Sequence, residues 1–326
     1  MDELYPLHAT HGDAIFTIVG PTFQAFIPSL LSQSSTIQSI PSTTHSYGSH
    51  PRQKLDLYPS STSPSTSPIL VFFYGGGLIR GDKILPVVPE GLVYRNLGVF
   101  FAKRGINTVV ADYRRVNDEK EGTGEDARFP SGGEDVAGVL KWVNDEYLAG
   151  DEGGQGRREV VLMGNSAGGV HVATFLFEER FHTARVRYGL GGDAKVGVKG
   201  VVLLAVPFHY GKAEAMRKDI LDLYYGEGEA ERKSVCALLE AFRGKSNPPE
   251  ELGIPELLVM WSEYDPQGEI VAPGEDFVKQ WNEIFGTGLT VEKIDGHNHI
   301  SPPLGLSTGD TRAEKWGEHA AGWVKK

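Results

Sequence analysis

Two hydrophobic periods alternate along most of the chain. Short, nearly continuous runs of β-branched and apolar residues occupy 69–74, 107–113, 159–163, 198–206, 256–261 and 289–294. Between them, apolar positions recur every three to four residues over 92–104, 135–146, 167–177 and 311–324. In 135–146, for example, Val136, Val139, Leu140 and Val143 share one helical face. The runs predict strands and the periodic segments predict helices. Strands this uniformly apolar are buried on both faces, so the pattern predicts an α/β fold: a mostly parallel central sheet with helices on both sides. An earlier stretch, 54–58, alternates polar and apolar residues and predicts a further strand with one wetter face.

The rhythm breaks once, between the runs at 198–206 and 256–261. Residues 209–253 are too many for a simple crossover and carry helical periodicity over 213–224 and 230–242. They are expected to form a helical cap over the carboxyl ends of the strands, where open α/β sheets bind ligands. The N-terminal segment 1–46 is expected to join that cap, leaving residues 1–326 as one domain. Ser/Thr/Pro-rich stretches at 32–46 and 60–67 predict surface loops, and Gly-rich stretches at 150–156 and 189–197 predict exposed connections. Neither Gly-rich stretch has the spacing of a dinucleotide or phosphate loop.

Charge narrows the partners. With 32 Lys and Arg against 43 Asp and Glu the net charge is −11, and no basic cluster offsets it, so nucleic acid is not expected as a partner. The lone cysteine, Cys236, excludes a disulfide scaffold and fits a reducing compartment. Apolar segment 14–31 is interrupted by Gly20, Pro21, Gln24 and Pro28, and Asp2 and Glu3 stand where a secretory leader carries basic residues. No run therefore reaches the roughly 18–20 apolar residues of a membrane span, and a cytoplasmic, membrane-free protein is expected. Oligomeric state is left open.

The strongest chemical signal is Gly164-Asn165-Ser166-Ala167-Gly168, a G-x-S-x-G lying between a predicted strand and a predicted helix. A turn this tight needs glycine two residues to either side of the serine, and it lifts the Ser166 hydroxyl clear of the sheet as a nucleophile. The Ala167 amide, at the start of the following helix, is aimed to stabilise an oxyanion. A serine nucleophile needs a base and the base needs an orienting carboxylate, in the chain order Ser, Asp or Glu, His. Downstream of 256–261 lie Glu263 and Asp265, and after the last predicted strand lie His297 and His299. An H-x-H pair also suits metal binding, but no third ligand of matching spacing is visible and no cofactor or metal is expected.

These segments resemble α/β-hydrolases of the hormone-sensitive-lipase and carboxylesterase type. Tyr74-Gly75-Gly76-Gly77 is similar to the family's HGGG oxyanion element, with Tyr74 in place of the family's His. By that resemblance the Gly76 and Gly77 amides join Ala167 in an oxyanion hole. Ser262-Glu263-Tyr264-Asp265-Pro266 resembles the family's E-x-D-P turn and implies Asp265 as the acid, with Glu263 as the alternative. Gly296-His297-Asn298-His299 resembles its G-x-x-H pattern and implies His299 as the base, with His297 as the alternative. Asp112-Tyr113-Arg114, Phe129-Pro130 and Glu134-Asp135-Val136 resemble the family's DYR, FP and EDV segments, with extra residues between, so the likeness spans about Tyr47 to Ser301. Tyr74, His209 and Tyr224 are expected among the substrate contacts, whereas His171 and Cys236 read as packing residues.

The resemblance implies a serine hydrolase that cleaves a small or medium-sized carboxylic ester through an acyl-enzyme. The alternatives are an acyltransferase, amidase or cyclase-like tailoring enzyme with the same triad, or a non-catalytic ligand receptor. The pairing of YGGG with GHNHIS is similar to intracellular fungal hydrolases, some of which tailor secondary metabolites.

Overall fold

A computed structural model describes residues 1–63, 65–116, 127–149 and 157–326. Eight strands form one sheet: β1 Thr43–Ser46, β2 Lys54–Tyr58, β3 Ile69–Phe73, β4 Asn107–Ala111, β5 Arg158–Asn165, β6 Val196–Leu204, β7 Glu256–Tyr264 and β8 Thr290–Asn298. Their order is β1-β2-β4-β3-β5-β6-β7-β8. The β1–β2 and β2–β4 pairs are antiparallel and the others parallel, so the mostly parallel sheet expected from the apolar runs is present. All five residues of β3 are buried, as are all five of β4, which is why these runs lack polar alternation.

Register, more than the strands themselves, sets up the site. Pairing of β3 with β5 puts Phe73 opposite Gly164, so the two glycine-rich turns leave the sheet side by side. β7 and β8 pair in parallel at the far edge and end in the loops that carry Asp265 and His299. Helices Arg95–Ala102 and Thr311–Lys325 share one core with the sheet, since Phe100 and Trp316 are both buried in it. The last helix starts where Asp310 accepts hydrogen bonds from the Arg312 and Ala313 amides as its N-cap.

Several expectations are corrected. The 32–46 stretch is not all loop, because it contains a short helix, Ser34–Ile37, and strand β1 on the antiparallel edge. Helix Ser131–Trp142 starts ahead of the expected 135, because Gly132 and Gly133 pack directly against His171 and Phe181. Gly150–Gly156, and the residues inserted between Arg114 and Phe129 at 117–126, lie outside the described residues.

The largest departure is at the N-terminus, where Leu4–His11 and Ile15–Ser32 are helices. The second runs through Pro21 and Pro28, residues expected to interrupt it. Each proline forfeits one helical hydrogen bond, but Ile18, Thr22, Phe26 and Leu30 form a buried stripe at four-residue spacing that holds the helix on the body. The expectation that no segment reaches membrane-span length fails here: this helix of 18 residues has a mean hydropathy of 1.4, and 22% of it is buried.

Candidate active site

The site begins with a strained turn. Ser166 sits at φ 52°, ψ −120°, outside the regions open to most side chains, at a cost of order 1–3 kcal/mol. It leaves β5 and enters helix Ala167–Phe177, every residue of which is buried. The flanking glycines are required by contact: a Cβ at Gly164 would lie 2.4 Å from the Gly169 Cα, and one at Gly168 would lie 2.2 Å from the Phe73 carbonyl oxygen. Close packing of two backbones, β3 against the turn, thus accounts for the G-x-S-x-G spacing.

Around Ser166 the structure brings together residues more than a hundred positions apart. His299 Nε2 lies 3.0 Å from Ser166 Oγ, and His299 Nδ1 lies 2.7 Å from Asp265 Oδ1. His299 and Asp265 are 3% and 4% exposed, so this relay is shielded from bulk water. The other Asp265 oxygen accepts from the Ser262 amide at 2.5 Å, which fixes the carboxylate plane. Glu263 takes no part, since its Oε2 accepts from the Gly296 amide on the exposed side of the turn. His297 points the other way: its Nδ1 is 2.8 Å from Ser301 Oγ, and burial pushes its imidazole down to about 4. Strand alternation would put residues 297 and 299 on one face, but β8 ends at Asn298, and the turn that follows carries His299 away from the side His297 occupies.

The loop bearing His299 is held by groups that sequence patterns did not single out. Asn298 Oδ1 accepts from the Ile300 and Ser301 amides, both at 3.0 Å, and its Nδ2 donates to Thr22 Oγ1 at 2.8 Å. The N-terminal helix is thereby tied to the histidine loop across the length of the chain.

The amides of Gly76, Gly77 and Ala167 have no hydrogen-bond acceptor among the described residues and lie in adjoining turns. A Cβ at Gly76 would strike the Arg80 carbonyl oxygen at 1.8 Å, and Gly77 adopts φ 60°, so both positions demand glycine. Tyr74 does not line the pocket, contrary to expectation. It is fully buried and stacks on Tyr94 and Tyr113, and its hydroxyl donates to Asp112. Asp112 also pairs with Arg52 at 3.0 Å, and Arg52 Nη2 donates to the Gly81 carbonyl at 2.8 Å. Burial pushes the Asp112 carboxyl up to about 7, against the pull of Arg52 and of the Tyr74 hydroxyl. Tyr74 therefore braces the glycine loop from behind.

A cavity opens onto Ser166. Its wall is mainly apolar, with Leu78, Val170, Ile220, Leu221 and Ile270 among the lining residues. His209 lines it, with its Nε2 drawn 3.1 Å from Asp276. Tyr224 does not line it: buried behind the wall, it packs with Tyr225, Ala167 and Leu221 in a small separate cluster, and its hydroxyl lies 3.4 Å from His171 Nδ1. His171 is a core residue, pushed down to about 3 by burial and then by Arg114. Sequence reading missed Ile15, Arg217 and Glu269, all of which line the cavity. Ile15 was hidden because nothing in its own segment signals the strand ends. Among the described residues no cluster of three or more His, Cys, Asp or Glu is arranged to hold a metal ion.

Residues 55–203 match the family profile described as BD-FAE. That match covers both glycine-rich turns and ends before Asp265 and His299. A curated protein of Arabidopsis thaliana, named as a probable isoprenylcysteine alpha-carbonyl methylesterase, is 34% identical over 139 residues, 43% of this chain. The match takes in 28% of that relative's length. Among solved structures, a thermostable esterase from Pseudomonas putida aligns over 99% of this chain and 95% of its own, at 19% identity and a TM-score of 0.61. Brefeldin A esterase, a bacterial homologue of human hormone-sensitive lipase, aligns over 93% and 85% at 18% identity and a TM-score of 0.58. A structural study of two esterases from the fungus Rhizomucor miehei contributes a match over 92% and 88%, at 18% identity and a TM-score of 0.60. With this strand order, and with these esterases as its neighbours in fold, the chain has the α/β-hydrolase fold and is similar in structure to esterases of the hormone-sensitive-lipase type.

Proposed function

We propose that the chain is a carboxylic ester hydrolase acting through an acyl-enzyme on Ser166. The observation that carries this reading is the buried relay from Asp265 through His299 to Ser166, at 2.7 Å and 3.0 Å. As Ser166 Oγ attacks the ester carbonyl, His299 Nε2 takes its proton, and Asp265 keeps Nδ1 protonated and stabilises the imidazolium. Negative charge moves to the carbonyl oxygen, to which the free amides of Gly76, Gly77 and Ala167 donate hydrogen bonds. His299 then returns the proton to the leaving alcohol. In the second half His299 takes a proton from water, the hydroxide attacks the acyl carbonyl, and as the carbon–Oγ bond breaks and the acid leaves, His299 returns the proton to Ser166 Oγ.

Residues 209–225 act as the cap in this reading. They supply His209, Tyr210, Ala213, Arg217, Ile220 and Leu221 to the cavity. The remainder of the 209–253 insertion serves the body, with Val235, Leu239 and Phe242 buried in the main core. Ile15 brings the N-terminal segment to the same rim. The mainly apolar wall suits an uncharged ester.

The experiment is hydrolysis of a p-nitrophenyl ester series by the wild type and Ser166→Ala, with fluorophosphonate labelling located by mass spectrometry. Turnover and a label on Ser166, both lost in the variant, are the expected result. A wild type that neither labels nor turns over would end the hydrolase reading.

A further inference from the structure

We propose that Arg217 selects esters carrying a neutral oxygen acceptor, a carbonyl or a hydroxyl, close to the scissile carbonyl. The inference rests on the hydrolase reading and names a substrate class for the same pocket. Most polar side chains in the wall are already engaged: the Tyr210 hydroxyl is 2.7 Å from that of Tyr225, and His209 is held by Asp276. Arg217 is different. Its Nε donates to Glu269 Oε1 at 2.6 Å and its Nη2 to Glu269 Oε2 at 3.0 Å, a two-pronged pair that fixes the guanidinium plane. The third arm, Nη1, has no acceptor among the described residues, and it lies 3.6 Å from where a Cβ on Gly77 would sit. A donor is thus pinned over the glycine loop whose amides face the reacting carbonyl, in a wall otherwise built of side chains such as Leu78, Ile220 and Ile270.

Surrounding charge decides what the donor takes. Glu269 is 8% exposed and cancels the arginine charge, and it also accepts from the Glu214 amide at 3.0 Å, which holds a further carboxylate residue at the rim. The Glu214 carboxyl is pushed up by desolvation and then by Glu269, with Asp13 adding to the same sense. A substrate carboxylate would meet this negative surround, whereas a ketone or hydroxyl oxygen accepts the hydrogen bond without that repulsion. A site built to satisfy a donor discriminates against analogues that leave it unpaired.

The test compares kcat/KM for ethyl butanoate, ethyl 3-oxobutanoate, 2-oxopropyl butanoate and monoethyl succinate on the full chain. Two variants are used: Arg217→Lys, which keeps a cation against Glu269 but drops the third arm, and the double variant Arg217→Met with Glu269→Met, which leaves no unpaired charge. Comparing each variant with the wild type cancels the intrinsic reactivity of each ester. The preference for one of the oxo esters over ethyl butanoate should fall about tenfold in both variants, a ratio that holds whatever each variant does to ethyl butanoate turnover. An unchanged preference, with ethyl butanoate still hydrolysed, overturns the inference and spares the hydrolase reading. A wild type that favours monoethyl succinate also overturns it, since that marks an anion site. Absence of all turnover and of Ser166 labelling overturns the hydrolase reading and the inference with it.

Discussion

The strand-end cluster and the segment that covers it are built on different principles. Asp265 and His299 are buried, and with the glycine turns they sit at the ends of parallel strands, fixed by hydrogen bonds such as those from Ser166 N to Leu204 O and from Ser262 N to Asp265. The cover from His209 to Tyr225 contributes only a small cluster of its own, including Leu221, Tyr224 and Tyr225, and is otherwise attached by a few polar links. The Phe129 amide reaches Tyr224 O at 2.7 Å, Arg128 reaches Leu223 O at 2.9 Å, and Arg217 grips Glu269. The lesson is a division of labour. On the proposed reading, chemistry that tolerates little displacement sits on rigid elements, while selectivity sits on a segment that can vary without disturbing the sheet.

That contrast can be broken most decisively at the nucleophile. Ser166→Ala should lower kcat by about 10⁶-fold with no loss of folding, because alanine removes only the hydroxyl and leaves the turn's backbone and Cβ as they were. Retained turnover with a folded variant would move the chemistry elsewhere. Next, Asp265→Asn should cost about 10⁴-fold in kcat by favouring the wrong imidazole tautomer, whereas Glu263→Gln should stay within a few-fold. Equal losses at both positions would dissolve the distinction between the two carboxylates drawn from the geometry. Support behind the glycine loop comes third. Tyr74→Phe removes a buried donor to Asp112 and should lower unfolding free energy by about 1–3 kcal/mol, read by urea denaturation. In the cover, Leu221→Ala should raise KM several-fold, leave kcat close to wild type and shift Tm little; a collapse in kcat would make the cover part of the catalytic frame.

The smallest effect concerns pH and separates core from site. His171 and His297 are held neutral by burial, at about 3 and about 4, whereas an unfolded histidine titrates near 6.5. Below that value the unfolded chain gains protons that the folded chain refuses. Stability is therefore fully present above about pH 6.5 and falls as pH drops toward 4, by up to about 1.4 kcal/mol per pH unit for each histidine. His297→Gln should flatten the slope of Tm against pH between 6.5 and 4; an unaltered slope would show that His297 titrates freely in the folded protein.

Most of this architecture was legible in the amino-acid order. Continuous apolar runs located the strands from β3 to β7, because a parallel strand buried on both faces leaves no polar register to obscure it, whereas β8 is an edge strand with several exposed residues. The G-x-S-x-G turn was legible for a related reason: backbone atoms within 2.4 Å of a missing Cβ exclude every other residue, so local geometry is written as glycine. The N-terminal helix was misread because Pro21 and Pro28 break helices by local rule, and only a buried face against the body overrides that rule. Tyr74 and Tyr224 were misplaced because an aromatic ring near a site in sequence carries no sign of which side of the wall it occupies.

Local sequence determined the strands, the strained turn at Ser166 and the types of residue available for catalysis, since each depends on steric and hydrophobic terms among near neighbours. Tertiary structure alone decided that His299 faces Ser166 while His297 faces Ser301, that Asp265 and not Glu263 meets the imidazole, and that Ile15, Arg217 and Glu269 share one cavity. Those choices follow from strand register and from contacts across as many as 276 positions, as between Asn298 and Thr22, which no local window contains.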